Sequence, residues 1–492
     1  MLALALNSER SEALTGVSYI YIWGDGSISP LTAPIDRNGD LYTFTDDVSA
    51  SIVVLKDNIV IDGAGKTIYG EGRFGTIGID LSNRVNVTLE NAKIVAFDSN
   101  VYLYHSMYNE ITQSTSTSAR YADVELQSSW NNNITHNRIA DTYCYGICVN
   151  SSSRNRIEEN NITGIDIGLH LASSSSENYL CGNRMEDNNQ GIEFRSSSNN
   201  NSVNENIVTN NFYNGILLLD SCSDNKIFGN NVTNNGGNGF LFIDSSNNRI
   251  SQNNIMNNHP QVYSSGSQNS WNSTYPAGGN YWSDYSGLDV KSGPAQNLHG
   301  SDGIIDIAHT IDEENVDHYP LTVPYGTPLP LMWSLKVRAT PGGMTDPTSG
   351  DYNYIDLAQI QCTAIQGSYH FFDHWELDGI NMGSDNKYMI LMNKNYILRA
   401  IFLGDPNKDG VINLLDLLFA SKAFGTYQGS SDYIVSADMN CDGKINLLDM
   451  ILIATHLGRG VPWICLSFIF VRALHSVISW AIANRHHTFW LR

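Results

Sequence analysis

The sequence predicts a mainly β chain: a long parallel β-helix, that is a solenoid of stacked coils, then a small β domain, then a C-terminal module of two short helices. Three observations carry this reading. A column of asparagines recurs at a near-constant interval, that repeat stops before Leu335, and an acidic twelve-residue loop occurs twice near the end.

The repeat places Asn137, Asn160, Asn183, Asn206, Asn230 and Asn253 at steps of 23, 23, 23, 24 and 23 residues. Such a fixed period marks a stacked repeat architecture. Three positions before each Asn stands an apolar residue (Ile134, Ile157, Leu180, Val203, Ile227, Ile250), and two positions after it another (Ile139, Ile162, Met185, Val208, Val232, Ile255). A third apolar column follows Gly146, Gly168, Gly191, Gly215 and Gly239 and alternates as a half-buried strand does. Helical repeats are excluded because no apolar run has a 3.6 period, and because 32 of the 132 residues from Asn131 to Val262 are Asn, a poor helix former. Stacking short strands at about 4.8 Å lets each Asn amide bond its copies above and below. Looser upstream matches at Ile111 and Leu89, and an opening coil at Asn58–Asp62, give an expectation of about nine coils and a rod of about 40 Å.

These N-x-I-x-x-N-x-I coils, with the opening segment Ala33–Phe44 and the closing segments Gly278–Tyr285 and Asp317–Leu321, resemble the NosD-like right-handed β-helix family, or CASH type, over residues 25–324. The resemblance implies a right-handed solenoid on a surface protein. It fixes no chemistry, since this fold hosts many activities. Copper handling, known for the named relative, is not carried over, because no Met, His and Cys set is grouped at soft-ligand spacing.

Two outward columns carry the candidate catalytic positions. The middle of the glycine strand reads Cys148, His170, Glu193, Leu217, Leu241, an expected contact groove with one polar pair. The position before the Asn turn reads His136, Glu159, Gly182, Glu205, Gly229, Gln252, where Glu159 and Glu205 would lie about 9.6 Å apart, near the upper limit for an inverting glycosidase pair. Without a basic cleft or aromatic platform beside them, they read as solvated turn carboxylates. No catalytic residue is assigned, and the alternative is a polysaccharide hydrolase or lyase acting on the β-helix face.

From residue 335 to 403 short alternating stretches such as Leu335–Ala339 and Tyr396–Phe402 describe a compact β domain, with Trp375 expected in its core. Phe372-Asp-His-Trp-Glu-Leu-Asp-Gly379 and the strand that follows resemble the divergent InlB B-repeat family of surface spacers, which implies a stalk-like role.

The acidic loop Asp405-Pro-Asn407-Lys-Asp409-Gly-Val411-Ile-Asn413-Leu-Leu-Asp416 sets oxygen ligands at positions 1, 3, 5, 9 and 12 around a glycine at 6. Thirty-three residues later Asp438, Asn440, Asp442, Asn446 and Asp449 repeat every one of those positions. A hard oxygen cage for calcium follows, one ion per loop. Each loop opens a predicted helix, Leu414–Phe424 and Leu447–Leu457, stopped by Gly425 and Gly458. With Asp at position 12 and no entering helix, residues 404–458 resemble a type I dockerin. The resemblance implies that Val411 and Lys444 ligate through their carbonyls at position 7. It also implies that positions 10 and 11, Leu414-Leu415 and Leu447-Leu448, face a cohesin-like partner. Double Leu departs from the small hydroxyl residues frequent there.

Twenty-eight Lys and Arg against fifty Asp and Glu give a formal charge of −22 over 492 residues, a field that repels phosphate backbones and polyanionic sugars. Nucleic acid is excluded as a partner, while a neutral glycan or a protein fits. Seven scattered cysteines form neither a disulfide framework nor a zinc site. Residues 1–13 read as a signal-peptide remnant ending at Ser11-Glu-Ala13. Residues 461–492 form an apolar tail long enough for a membrane anchor, the rival being an appended segment. The chain is thus expected to be a secreted or cell-surface binding protein.

Overall fold

The computed structural model describes residues 18–458 except Tyr369 and Gly410; the expected signal remnant and apolar tail lie outside the described residues. The chain forms two compact units: one runs to Leu288 and takes in Gly303–Leu329, and the other joins Asp289–Asp302 to the chain from Pro330 onward.

The first unit is a right-handed β-solenoid of three sheets, with twelve strands in the first, eleven in the second and ten in the third. The expected nine coils are therefore corrected to about eleven turns. The count fell short because the opening rungs lack the Asn column: Tyr19–Ile22 already pairs in parallel with Ser51–Val54. Within the repeat the register is as the columns require, with Ile134, Ile157, Leu180, Val203, Ile227 and Ile250 pairing in succession along the second sheet. All six are fully buried.

The Asn column is a ladder. Asn160 donates its backbone N–H to Asn183 Oδ1 at 3.0 Å, its side-chain amide to the same oxygen at 2.9 Å, and that amide again to Ile134 O in the coil behind at 2.7 Å. One side chain thus joins three coils and satisfies turn groups that would otherwise be buried unpaired. Two further ladders run along the other corners, from Asn109 to Asn269 and from Asn188 to Asn258. The residue before each Asn of the first ladder (His136, Glu159, Gly182, Glu205, Gly229, Gln252) has φ between 54° and 70°. Non-glycine side chains tolerate that left-handed turn because the ladder bonds over-determine it.

The glycine column has a packing cause. A Cβ on Gly191 would stand 2.4 Å from Val208 Cγ1, 2.6 Å from Gly215 O and 3.3 Å from the Asn211 amide, so only glycine leaves room for the third ladder. The far end is closed by the segment around Trp271, Trp282 and Asp317, all buried.

In the second unit, a five-stranded sheet containing Met332–Ala339, His370–Leu377 and Tyr396–Gly404 faces a three-stranded sheet. Trp375 is 1 % exposed and packs with Leu335, Val337, Ile360 and Leu398, the core role expected of it. Two helices follow, Leu414–Ser421 and Leu447–Thr455, each shorter than expected. Left-handed Gly425 and Gly458 lie a few residues beyond them. Their core is shared: Leu403 of the last β-domain strand is buried with Ile412, Leu417, Met439, Ile445 and Ile453, and Phe371 and Ile401 pack against them.

Candidate functional site

The two acidic loops are built alike. Asn413 and Asn446 cap the helices, accepting from Leu415 N–H and Leu448 N–H at 2.7 and 2.8 Å. Asp416 and Asp449 close the reciprocal bond to the cap backbone, each at 2.8 Å. Positions 9 and 12 are therefore capping boxes as well as expected ligands, which fixes the helix start relative to the loop. The N-x-x-D spacing could have shown this in the sequence. Position 4 is left-handed in both loops, at Lys408 and Cys441.

In the first loop one carboxylate oxygen from each of Asp405, Asp409 and Asp416 lies within 4.8 Å of the other two. Asn407 bridges to Asp409 through its amide at 3.0 Å, and Asn413 donates to Val411 O at 3.2 Å, so the position 7 carbonyl faces the position 9 side chain. Burial, with Asp405 and Asp409 nearby, pushes the Asp416 carboxyl up. Three crowded carboxylates joined by amide and carbonyl oxygens form a hard donor set that suits calcium, and a cation would relieve their repulsion. In the second loop Asn440 likewise bonds Asp442 at 3.0 Å, and Asp449 accepts from Met439 N–H at 2.8 Å. Its Asp438 differs in also accepting from the Tyr433 hydroxyl at 2.6 Å. Asp442 N–H and Gly443 N–H hold the same carboxylate, and Lys444 N–H donates to Asp442 at 2.9 Å. Among the described residues only the first loop gathers three carboxylates this closely.

The expected partner residues are apolar and open to solvent. Leu414, Leu415, Leu447 and Leu448 are 46 %, 59 %, 49 % and 58 % exposed, and Leu418, Ile451 and Leu452 extend the two patches. No helix among the described residues is long and apolar enough to cross a membrane.

On the β-helix, Glu159 is an exposed turn carboxylate that pairs with His136 at 2.7 Å. The column Cys148, His170, Glu193, Leu217, Leu241 is not the open groove expected: the first four are 0 %, 7 %, 1 % and 2 % exposed, and Leu241 is half-buried. Side chains one rung apart close over one another, Tyr145 stacks on His170 with centroids 4.6 Å apart, and Arg195 clamps Glu193. Burial pushes the Glu193 carboxyl up, but His170 and Arg195 outweigh it and hold it below the usual carboxylate range. His170 Nδ1 and Glu193 Oε2 stand 3.8 Å apart, and neither has a hydrogen-bond partner. Residues 324–327, which lean over the third sheet, carry no repeat signal and were missed.

Residues 77–232 match the family described as right handed beta helix region, and residues 403–458 match the dockerin type I domain. No curated protein matches the chain. Among solved structures, the chain is similar to the periplasmic alginate epimerase AlgG, at 16 % identity and a TM-score of 0.37, over 51 % of this chain and 71 % of that one. It is also similar to the Dettilon tailspike protein, at 14 % identity and a TM-score of 0.36, over 68 % and 77 % of the two chains. A tailspike mutant of E. coli bacteriophage HK620 in complex with a pentasaccharide gives 11 % identity and a TM-score of 0.35, over 50 % and 53 %. Likeness at this level concerns the fold alone.

Proposed function

We propose that this is a secreted or cell-surface protein. Its C-terminal module binds two calcium ions and docks on a cohesin-like partner, while its β-helix contacts a glycan or protein. One observation carries the docking half. The two Leu pairs are exposed at equivalent positions of two helices, and each helix start is fixed by a capping box made of expected calcium ligands. Calcium would bind through Asp405, Asn407, Asp409, Val411 O, Asn413 and Asp416, and through the equivalent set Asp438, Asn440, Asp442, Lys444 O, Asn446 and Asp449. The β domain serves as a spacer. Because the two pairs are near copies, the module can dock in two orientations. Titration of the full chain with type I cohesin modules in calcium tests this. Changing Leu414 and Leu415 to Asp, or Leu447 and Leu448 to Asp, should leave affinity almost intact, and only the fourfold change should abolish it. Absence of binding to every cohesin in a panel would sink the docking reading, and a large loss from one pair would sink the two orientations.

A second reading, a polysaccharide hydrolase or lyase, is favoured by the pairing of His170 with Glu193 on the first sheet, 3.8 Å apart and without a hydrogen bond between them. Oligosaccharide release from neutral or uronic polysaccharides that disappears in Glu193→Gln would select it; the binding reading expects no release.

A further inference from the structure

A groove of about 580 Å³ runs across the outer face of the third sheet, within the β-helix unit. Two rows of outward side chains floor it. One row pairs Ile207, Asn231 and Asn254 on successive rungs, and the other pairs Thr209, Thr233 and Met256. We infer that this groove binds a neutral, hydroxyl-rich glycan, an inference that rests on the β-helix being the ligand-contacting half of the protein.

The wall of the groove is fixed to its floor. Tyr325 N–H donates to Asn254 Oδ1 at 2.6 Å, and the Asn254 amide donates back to Tyr325 O at 3.2 Å and to Asn231 Oδ1 at 2.6 Å. The Tyr325 ring lies close to the Gly229 turn, where an added Cβ would come within 3.8 Å of it, and the residue is 43 % exposed. Segment 324–327 is therefore a preformed side wall carrying an aromatic surface.

The chemistry of the lining selects the ligand. Its charged side chains are Arg184 and Glu186, which neutralise each other at 2.8 Å, so the groove offers no net charge to a uronate or an amino sugar. The chain's formal charge of −22 repels polyanions further. The floor offers amides and hydroxyls, each able both to donate and to accept. The ladder contacts use only part of that capacity: Thr209 and Thr233 share one bond at 3.0 Å. Sugar hydroxyls need such two-way partners, and the apolar C–H faces of a pyranose ring suit Tyr325, Ile207 and Met256. Four rungs at about 4.8 Å span about 14 Å, room for a short oligosaccharide. A peptide adding a strand is disfavoured, because the strands here are already paired on both sides.

The test is calorimetric titration of the full chain with gluco-, xylo-, manno- and galacto-hexaoses, with oligogalacturonate and chitosan oligomers as charged probes. At least one neutral oligomer should bind. Affinity should fall at least tenfold in Tyr325→Ala, and also in Thr233→Trp, which fills the groove from the outward face, with thermal unfolding of both variants unchanged. Tyr145→Ala, on the first sheet, should bind as the parent does. The inference is overturned if no neutral oligomer binds, if both groove variants bind like the parent, or if a charged probe binds more tightly than every neutral one. The fourfold Leu→Asp variant should keep full sugar affinity, which separates failure of this site from failure of the docking reading.

Discussion

The β-helix and the C-terminal helical module are stabilised in opposite ways. Among the described residues the β-helix core holds fifty buried apolar side chains in continuous columns, while the helical module shares a core of ten, one of them Leu403 from the neighbouring β domain. In the solenoid each Asn of a ladder has its like on the next rung, so the Asn ladders complete themselves. In the helical module the buried groups at the loops are carboxylates, Asp405, Asp416, Asp438 and Asp449, and in the first loop they crowd together with Asp409. Repetition makes the first region self-sufficient; the second is expected to depend on a bound cation.

The largest effect should come from removing that dependence. With calcium chelated from the full chain, the helices Leu414–Ser421 and Leu447–Thr455 should lose hydrogen-exchange protection, while the strands between Asn133 and Met256 keep theirs. Equal protection of the helices with and without chelator would break the comparison.

Next in size is a break in one ladder. Asn206 donates to Asn230 and to Leu180 O and accepts from Asn183, so Asn206→Leu strands groups in neighbouring coils. The cost should be about 1–3 kcal/mol for each group left unpaired, read from denaturant unfolding. Unchanged stability would mean that the ladder is redundant with the apolar columns. Gly191→Ala should cost about 1–3 kcal/mol, since the new methyl meets Val208 and a backbone oxygen that cannot retreat.

The remaining effect should be pH-dependent. Burial pushes the Asp123 carboxyl up to about 7, against its hydrogen bonds from Asn100, Ser116 and Thr142. A raised carboxyl binds its proton in the folded state where the unfolded chain has lost it. Its stabilisation is therefore present below the ordinary carboxylate range and is lost as pH rises through about 7. The thermal midpoint of the β-helix should fall between pH 5 and pH 8, and Asp123→Asn should flatten that fall. A slope unchanged in the variant would assign the titration elsewhere.

Much of this was legible in the sequence, for a physical reason: a period of about 23 residues is a local signal, and a twelve-residue cation loop carries its geometry in its spacing. One Asn column sufficed to set the register of the solenoid. The other two ladders lie in turns so rich in Asn and Ser that neighbours mask the period. The glycine column showed its place but not its cause, which is a contact with the next coil. The groove was illegible because Tyr325 of its wall lies 71 residues beyond Asn254 of its floor, and no spacing announces the hydrogen bonds that join them. The open groove expected at His170 and Glu193 failed because an outward position on a sheet with rungs about 4.8 Å apart is not an exposed one when long side chains occupy consecutive rungs.

The closing segment has a consequence for self-association. Each Asn in the ladder accepts from the coil behind and donates to the coil ahead, so the last one, Asn280, would seek an acceptor from any rung that came next. Asp317 supplies it, accepting from Asn280 N–H at 2.7 Å and from the Trp282 indole at 2.9 Å. Beyond Asn269 the ladder from Asn109 passes to Asn315, whose Oδ1 accepts from Asn269 N–H at 2.9 Å and whose amide donates to Asp312 at 2.8 Å. A carboxylate accepts without donating onward. Aspartate is thus a chain terminator in the polymer sense: it occupies the donors of the last rung, which would otherwise be a template for another chain.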